Sequence, residues 1–175
     1  MRERLAEAIQ LRETGRAKQD QAMLEEARTL LVELVAVYPD DAEITYQTAI
    51  VHDNMGLGRE AIPFYAQALE QGLTGPDTAT KLMKRERAFL GLGSTYRALG
   101  EYQKAEETLH RGLEEFPQSR ALQVFLAMAL YNTQKHKEAM EMVLTNLLET
   151  TSDEALQYYK RGLLYYASHL DETGE

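Results

Sequence analysis

Apolar residues recur at intervals of three and four along nearly the whole chain, as in Met23, Ala27, Leu30, Leu31 and Leu34. That spacing lines one face of a helix with 3.6 residues per turn. No stretch keeps a two-residue alternation, so no sheet is expected. The breaks carry stop-and-start chemistry. Pro39-Asp40-Asp41 ends one helix and begins the next, with Asp40 and Glu43 at capping-box spacing. Gly56-Leu57-Gly58, Gly72 to Pro76, Gly100 and Phe116-Pro117 are further stops, and Thr151 with Glu154 repeats the capping-box spacing before a last helix. The pattern predicts helices near residues 2–15, 20–37, 41–55, 59–71, 76–98, 101–115, 119–132, 135–149 and 152–171.

The pattern also repeats itself. Its clearest unit is RAFLGLGSTYRALGEYQKAEETLHRGLEEFP, residues 87–117. Shifted forward by 34 residues, Leu92, Gly93, Tyr96, Ala105 and Leu109 fall on Leu126, Ala127, Leu130, Ala139 and Val143. Backward, Ala105 meets Ala61 after 44 residues, and Ala61 meets Ala27 after 34. The surplus of ten, close to three helical turns, falls between Leu69 and Phe89. Gly75-Pro76 there reads as the start of an overlong helix whose first turns project beyond the neighbouring repeat. Lys81, Lys84, Arg85 and Arg87 make it the most basic stretch of the chain. Two readings stand: a solvated basic face, or a dock for an acidic segment of a partner or of another copy.

The 87–117 unit resembles the tetratricopeptide repeat, with the pattern W-x₂-L-G-x₂-Y, then A-x₃-F, then P. Phe89, Leu92, Gly93, Tyr96, Ala105, Leu109 and Pro117 match its order and spacing, with Phe for Trp and Leu for Phe. A second copy has Ala49, Gly56, Ala61, Tyr65 and Ala68, but Thr45, Thr48 and His52 at bulky positions. The copy at 120–149 has Gln134 at its inter-helix turn. In the first copy only the second helix matches, and Gly15 stands twelve residues before Ala27 instead of five, which predicts an insertion or a divergent turn.

The resemblance implies an all-α, right-handed α-solenoid forming one domain over 1–175. Its four helical hairpins would lie near 2–38, 41–72, 76–117 and 119–149, with a capping helix at 152–171. Leu156, Tyr159, Leu163, Tyr166 and Leu170 form the inward stripe expected of that cap. Tyr158, Leu164 and Tyr165 then add apolar surface beyond it, which predicts a homodimer. The plainer reading is a monomer whose tyrosines lie flat with their hydroxyls in water.

Tetratricopeptide repeats generally line a concave groove with the first helix of each hairpin. By resemblance, a partner protein or peptide segment would meet Tyr46, Ile50 and Asp53, then Arg87, Leu90 and Arg97, then Val124, Met128 and Tyr131. Apolar and aromatic positions flanked by a few charges suit hydrophobic anchors. Arg87 and Arg97, nearly three turns apart, are expected to face an acidic group. Alternatively, Tyr46, Ile50 and Val124 merely finish the core between first helices. Tyr46 and Ile50 stand where members that hold chaperone tails carry clamp residues for a terminal carboxylate, so that partner class is disfavoured.

Composition narrows the function classes. With 44% hydrophobic residues the 175-residue chain can bury a sizeable core. Nineteen Lys and Arg against twenty-eight Asp and Glu give a net charge of −9. Sequence-independent nucleic-acid binding rests on neutralising phosphates, so no nucleic-acid partner is expected. Without cysteine there is no disulfide, thiolate nucleophile or Cys-ligated zinc. His52, His110, His136 and His169 form no i, i+4 pair, and His52 reads as a packed core residue. Glu25-Glu26, Glu106-Glu107 and Glu114-Glu115 read as solvated surface charge. Gly56-Leu57-Gly58 and Gly91-Leu92-Gly93 look like phosphate loops only superficially, since neither follows a strand.

No cofactor or metal is expected. No apolar run approaches the ~20 residues of a membrane span, and MRERLAEAIQ lacks a secretory apolar region, so a cytoplasmic protein without a membrane partner is expected. The reading is a non-catalytic protein–protein interaction module. A regulatory peptide sensor and an enzyme with a scattered site are the alternatives.

Overall fold

The computed structural model describes residues 1–73 and 78–173, without the side chains of Thr78 and Lys81. Among these residues the regular structure is entirely helical. The helices are α1 (Arg2–Lys18), α2 (Gln21–Val37), α3 (Ala42–Asn54), α4 (Gly58–Gln71), α5 (Thr78–Ala98), α6 (Tyr102–Glu115), α7 (Arg120–Asn132), α8 (His136–Thr150) and α9 (Glu154–Ser168). Each predicted helix is present. The expected helix start at Gly75-Pro76 lies outside the described residues, but α5 is still the longest helix, at 21 residues. No described helix is long and apolar enough to cross a membrane.

Contacts divide the chain into two compact units, Met1–Glu101 and Tyr102–Glu175. In the first, each helix packs on the next, and α3 also touches both α1 and α5. In the second, α6 packs on α7, α7 on α8 and α8 on α9. The best-matched sequence unit, 87–117, straddles the boundary.

The hairpin turns depend on one backbone conformation. Gly56 (φ 74°), Gly100 (φ 79°) and Gln134 (φ 66°) are left-handed, and each stands five residues before a buried alanine: Ala61, Ala105 and Ala139. Glycine adopts that region without a Cβ penalty; Gln134 does not. The first hairpin differs. Its left-handed residue is Gln19 (φ 56°), eight before Ala27, and Asp20 caps α2 by accepting from the Ala22 and Met23 amides at 3.0 and 3.2 Å. Helix α2 therefore starts about one turn early.

Gly15 is not part of that turn. It lies buried inside α1, where an added Cβ would come 3.1 Å from both Leu24 and the Asp20 carbonyl. Its twelve-residue distance from Ala27 is that of Ala49 from Ala61 and Ala127 from Ala139. Gly15 is thus the small residue at a close helix contact.

Two cap assignments also change. Asp41, not Asp40, caps α3: its Oδ1 accepts from the Glu43 and Ile44 amides at 3.0 and 3.1 Å. Asp153, not Thr151, caps α9, accepting from the Leu156 amide at 3.0 Å. In both cases the carboxylate immediately before the first helical residue has the extended backbone that capping requires. Glu106 departs from solvated surface charge. Its side chain is largely buried, ion-paired with Lys135 and accepting from the Thr133 hydroxyl at 2.8 Å. The hairpin turn between α7 and α8 supplies both partners.

Helix α3 tolerates polar residues at bulky repeat positions because each finds a partner within the helix. Thr45 and Thr48 donate to the carbonyls of Asp41 and Ile44 at 3.0 and 2.8 Å. His52 is buried, with Nδ1 2.8 Å from the Thr48 carbonyl and its ring stacked on Phe64. It is the packed histidine the sequence predicts.

Helix α9 faces α8 largely as expected: Leu156, Leu163, Tyr166 and Leu170 of the expected stripe, with Ala167, line an apolar cavity against Leu144, Leu147 and Leu148 of α8. Its buried and half-buried positions are Leu156, Lys160, Leu163, Leu164, Ala167 and Ser168, while Tyr159 and Tyr166 of the stripe keep much of their surface exposed, as does Leu170. Among the described helices α9 touches only α8. A single neighbour covers a narrow arc, so only the small Ala167 is fully buried.

Candidate functional site

A cleft of about 830 Å³ lies between α1, α3 and α5, the first helices of their hairpins. Helix α3 contributes Tyr46, Gln47, Ile50, Asp53 and Asn54; α5 contributes Met83, Lys84, Arg87, Leu90, Gly91 and Ser94. Arg12, Glu13, Arg16 and Ala17 of α1 and Tyr65 of α4 complete it. That volume lies in the range of small-ligand and peptide sites. The sequence-predicted residues Tyr46, Ile50, Asp53, Arg87 and Leu90 are therefore together in one cavity.

Gly91 positions one wall. A Cβ there would stand 2.6 Å from Tyr65 Cζ and 2.7 Å from its hydroxyl oxygen. Only glycine lets the Tyr65 ring lie against α5. This is the structural reason for a glycine inside a helix, where the sequence superficially resembles a phosphate loop. Tyr65 in turn donates to Asp53 Oδ2 at 3.3 Å, and the Thr95 hydroxyl is 3.2 Å from Asp53 Oδ1. Burial raises the Asp53 pKa above its ordinary value, opposed by these hydrogen bonds. Burial also pushes the Tyr46 hydroxyl up to about 12, against the pull of Arg87 and Arg12. Both Tyr46 and Tyr65, whose pKa is raised chiefly by burial, remain proton donors at neutral pH.

The cations of the cleft are not equivalent. Lys84 Nζ is 2.6 Å from Glu43 Oε2, with both side chains mostly buried. Arg85 donates to the Leu69 carbonyl at 3.0 Å and lies over the Phe89 ring. These two residues of the basic stretch thus face their own unit and do not form a solvated face; Lys81 lies outside the described side chains. Arg16 and Arg87 are exposed at the cleft and make no ion pair among the described residues. Arg12 is only 7% exposed, and burial lowers its pKa, with Glu13 opposing.

Arg12, Arg16, Gln47, Asn54 and Tyr65 escaped the sequence reading of the groove. Taking Gly15 for a displaced turn hid the register of α1. Setting Gly15 against Ala49, 34 residues on, places Arg12 on Tyr46 and Arg16 on Ile50.

Other predicted residues lie elsewhere. Arg97, half-buried in the last turn of α5, is not among the lining residues. In the second unit, α7 carries Val124 exposed, Met128 half-buried and Tyr131 exposed, the last 4.8 Å from the His136 ring. On α9, Tyr158 is 83% exposed and Tyr165 is exposed, whereas Leu164 is half-buried. Tyr158 meets Tyr159 edge-on at 4.8 Å, and Tyr165 meets Tyr166 edge-on at 5.7 Å. Gly162 lies between these two pairs in sequence, and nothing stands within 4 Å of the space where its Cβ would be.

No curated protein matches the chain. A family model described as tetratrico peptide repeat matches residues 42–170, from the start of α3 to just beyond α9. The chain therefore belongs to the tetratricopeptide repeat family, whose repeats generally mediate protein–protein interaction and are not generally catalytic.

Proposed function

We propose that the protein is a non-catalytic interaction module that receives a segment of a partner protein in the cleft between α1, α3 and α5. One observation carries the reading: three successive first helices converge on a single cavity in which Tyr46, Ile50 and Leu90 supply apolar surface among polar groups. Such a lining anchors a side chain while satisfying a peptide backbone. A photo-crosslinking amino acid in place of Ile50 or Leu90 should capture the partner in extracts of the source organism. The same group at exposed Val37 of α2 should not. Capture from Val37 alone would place the partner elsewhere.

We further infer self-association through the exposed tyrosines of α9. Adjacent aromatic pairs one heptad apart, around an open glycine, offer a self-complementary face for a twofold contact. Light scattering at micromolar concentration should give twice the chain mass, and Tyr158→Asp with Tyr165→Asp should halve it without unfolding. A single-chain mass at every concentration would remove the dimer.

A further inference from the structure

The reading of the cleft as a peptide groove leaves open the chemistry of its ligand. Resting on that reading, we propose that the ligand segment carries an acidic side chain, Asp or Glu, seated on Arg12, while its backbone amides meet Gln47 and Asn54. Four buried side-chain polar atoms have no hydrogen-bond partner among the described residues. Three of them, Arg12 Nε, Gln47 Oε1 and Asn54 Oδ1, belong to residues lining this one cleft. Buried polar groups are normally satisfied, and one left unpaired has lost its water without gaining a partner. Their convergence on a cavity marks what the cavity is shaped to hold.

Arg12 is the most exacting of the three. It is nine-tenths buried, yet its bonded carboxylate is that of Glu13, its neighbour in sequence, at 3.2 Å from Nη2. The Glu13 side chain is 66% exposed, so water screens the counter-charge while Arg12 itself is desolvated. A guanidinium presents a planar fork that a carboxylate fills with two parallel hydrogen bonds. Charge in the surroundings points the same way. Glu43 already neutralises Lys84, and Asp53 is held by Tyr65 and Thr95. Exposed Arg16 and Arg87 then leave the cleft cationic within a chain of net charge −9.

The two orphan acceptors distinguish a peptide from a bare anion. Gln47 donates through Nε2 to Glu43 at 2.9 Å, which leaves its buried Oε1 available as an acceptor. Asn54 Oδ1 offers a second acceptor. An inorganic anion has no donor for either, whereas an acidic peptide brings a carboxylate for Arg12 and N–H groups for the amides.

The test is selection of a random-peptide phage library on the full-length protein. Selected sequences are then made as fluorescein-labelled peptides, each with a free-acid and an amidated C-terminus, and titrated by anisotropy. The winners should share an Asp or Glu at one position. Changing it to Asn or Gln should weaken binding to the wild type by roughly tenfold or more and have little effect on Arg12→Gln, as a double-mutant cycle requires. Should Arg12→Gln fail to fold by circular dichroism, Arg12→Lys serves instead, because a point charge cannot supply the fork and most of the coupling should still vanish.

Winners that lose binding to Ile50→Asp but are indifferent to their acidic residue and to Arg12 would overturn the acidic assignment and leave the groove standing. Winners that bind only as free acids, with silent side-chain changes, would assign Arg12 to a chain terminus and also overturn it. Failure to recover any binder sensitive to Ile50→Asp would count against the groove itself.

Discussion

Helices α3 and α9 show how little a helix's own composition decides its burial. In α3, nine of thirteen residues are buried, among them Thr45, Gln47, Thr48 and His52. In α9, four tyrosines and five leucine or alanine positions produce one buried residue, Ala167. The difference lies in their neighbours. Helix α3 touches α1, α2, α4 and α5, while α9 touches α8 alone among the described helices. Neighbouring helices share a core, so the number of neighbours sets burial. Thr45, Thr48 and His52 are satisfied by backbone carbonyls four residues before them, while Gln47 keeps an unpartnered Oε1. The same contrast separates the two candidate surfaces. One is a polar cavity closed by neighbouring helices; the other is an open aromatic face.

The contrast breaks most visibly under a buried charge. Ala61→Glu or Ala105→Glu, each at a fully buried alanine, should cost more than about 3 kcal/mol through overpacking and charge burial. Ala155→Glu on exposed α9 should stay within about 0.5 kcal/mol. Urea denaturation followed by circular dichroism compares the three, and equal losses would contradict the account of burial. Next in size, Gly91→Ala should cost about 1–3 kcal/mol, because the new methyl meets the Tyr65 ring and not open space. It should also disturb the cleft while leaving α9 self-association intact, which light scattering can check.

Smaller effects sharpen the comparison. Gln134→Gly should stabilise the second unit by about 1 kcal/mol, since the turn holds φ at 66° where Gly56 and Gly100 serve the others. Slower amide hydrogen exchange in α7 and α8 is the expected result. Asp53 gives the smallest effect, and a pH-dependent one. Its pKa is raised in the fold, so the folded chain holds a proton the unfolded chain has already released. Its contribution therefore becomes more favourable as pH falls through the folded value and levels off below the ordinary carboxylate value of about 4. The melting temperature of Asp53→Asn minus that of the wild type should be largest near pH 7 and decline toward about pH 4. An increase on acidification would reverse the assigned sign.

Most of the helices were legible because apolar spacing and turn glycines are local signals, and the repeat unit around Leu92, Gly93 and Ala105 made its own register plain. The errors arose where local signals compete. Asp40 and Asp41 are adjacent carboxylates with one capping position, and only the backbone angles choose between them. Gly15 has the meaning of Ala49 or Ala127, yet glycine is also the residue of turns. That ambiguity concealed Arg12 and Arg16. The facing of α9 was legible, since Leu156, Leu163, Tyr166 and Leu170 of the expected stripe line the cavity against α8. The exposure of Tyr159, Tyr166 and Leu170 was not, because it follows from α8 being the one neighbour among the described helices. The orphan atoms of Gln47 and Asn54 have no sequence signature at all, since they are defined by missing partners in space.

The central claim is that the partner segment lies between α1, α3 and α5, against Arg12. Backbone amide NMR of the isotopically labelled protein, titrated with an acidic peptide recovered by selection, tests it most directly. The account predicts shift changes concentrated in α1, α3 and α5, around Arg12, Gln47, Ile50 and Arg87, with the Arg12 Nε–H signal moving as it gains a partner. Changes confined to α9, or to Val124 and Tyr131 of α7, with α1 unmoved, would contradict it.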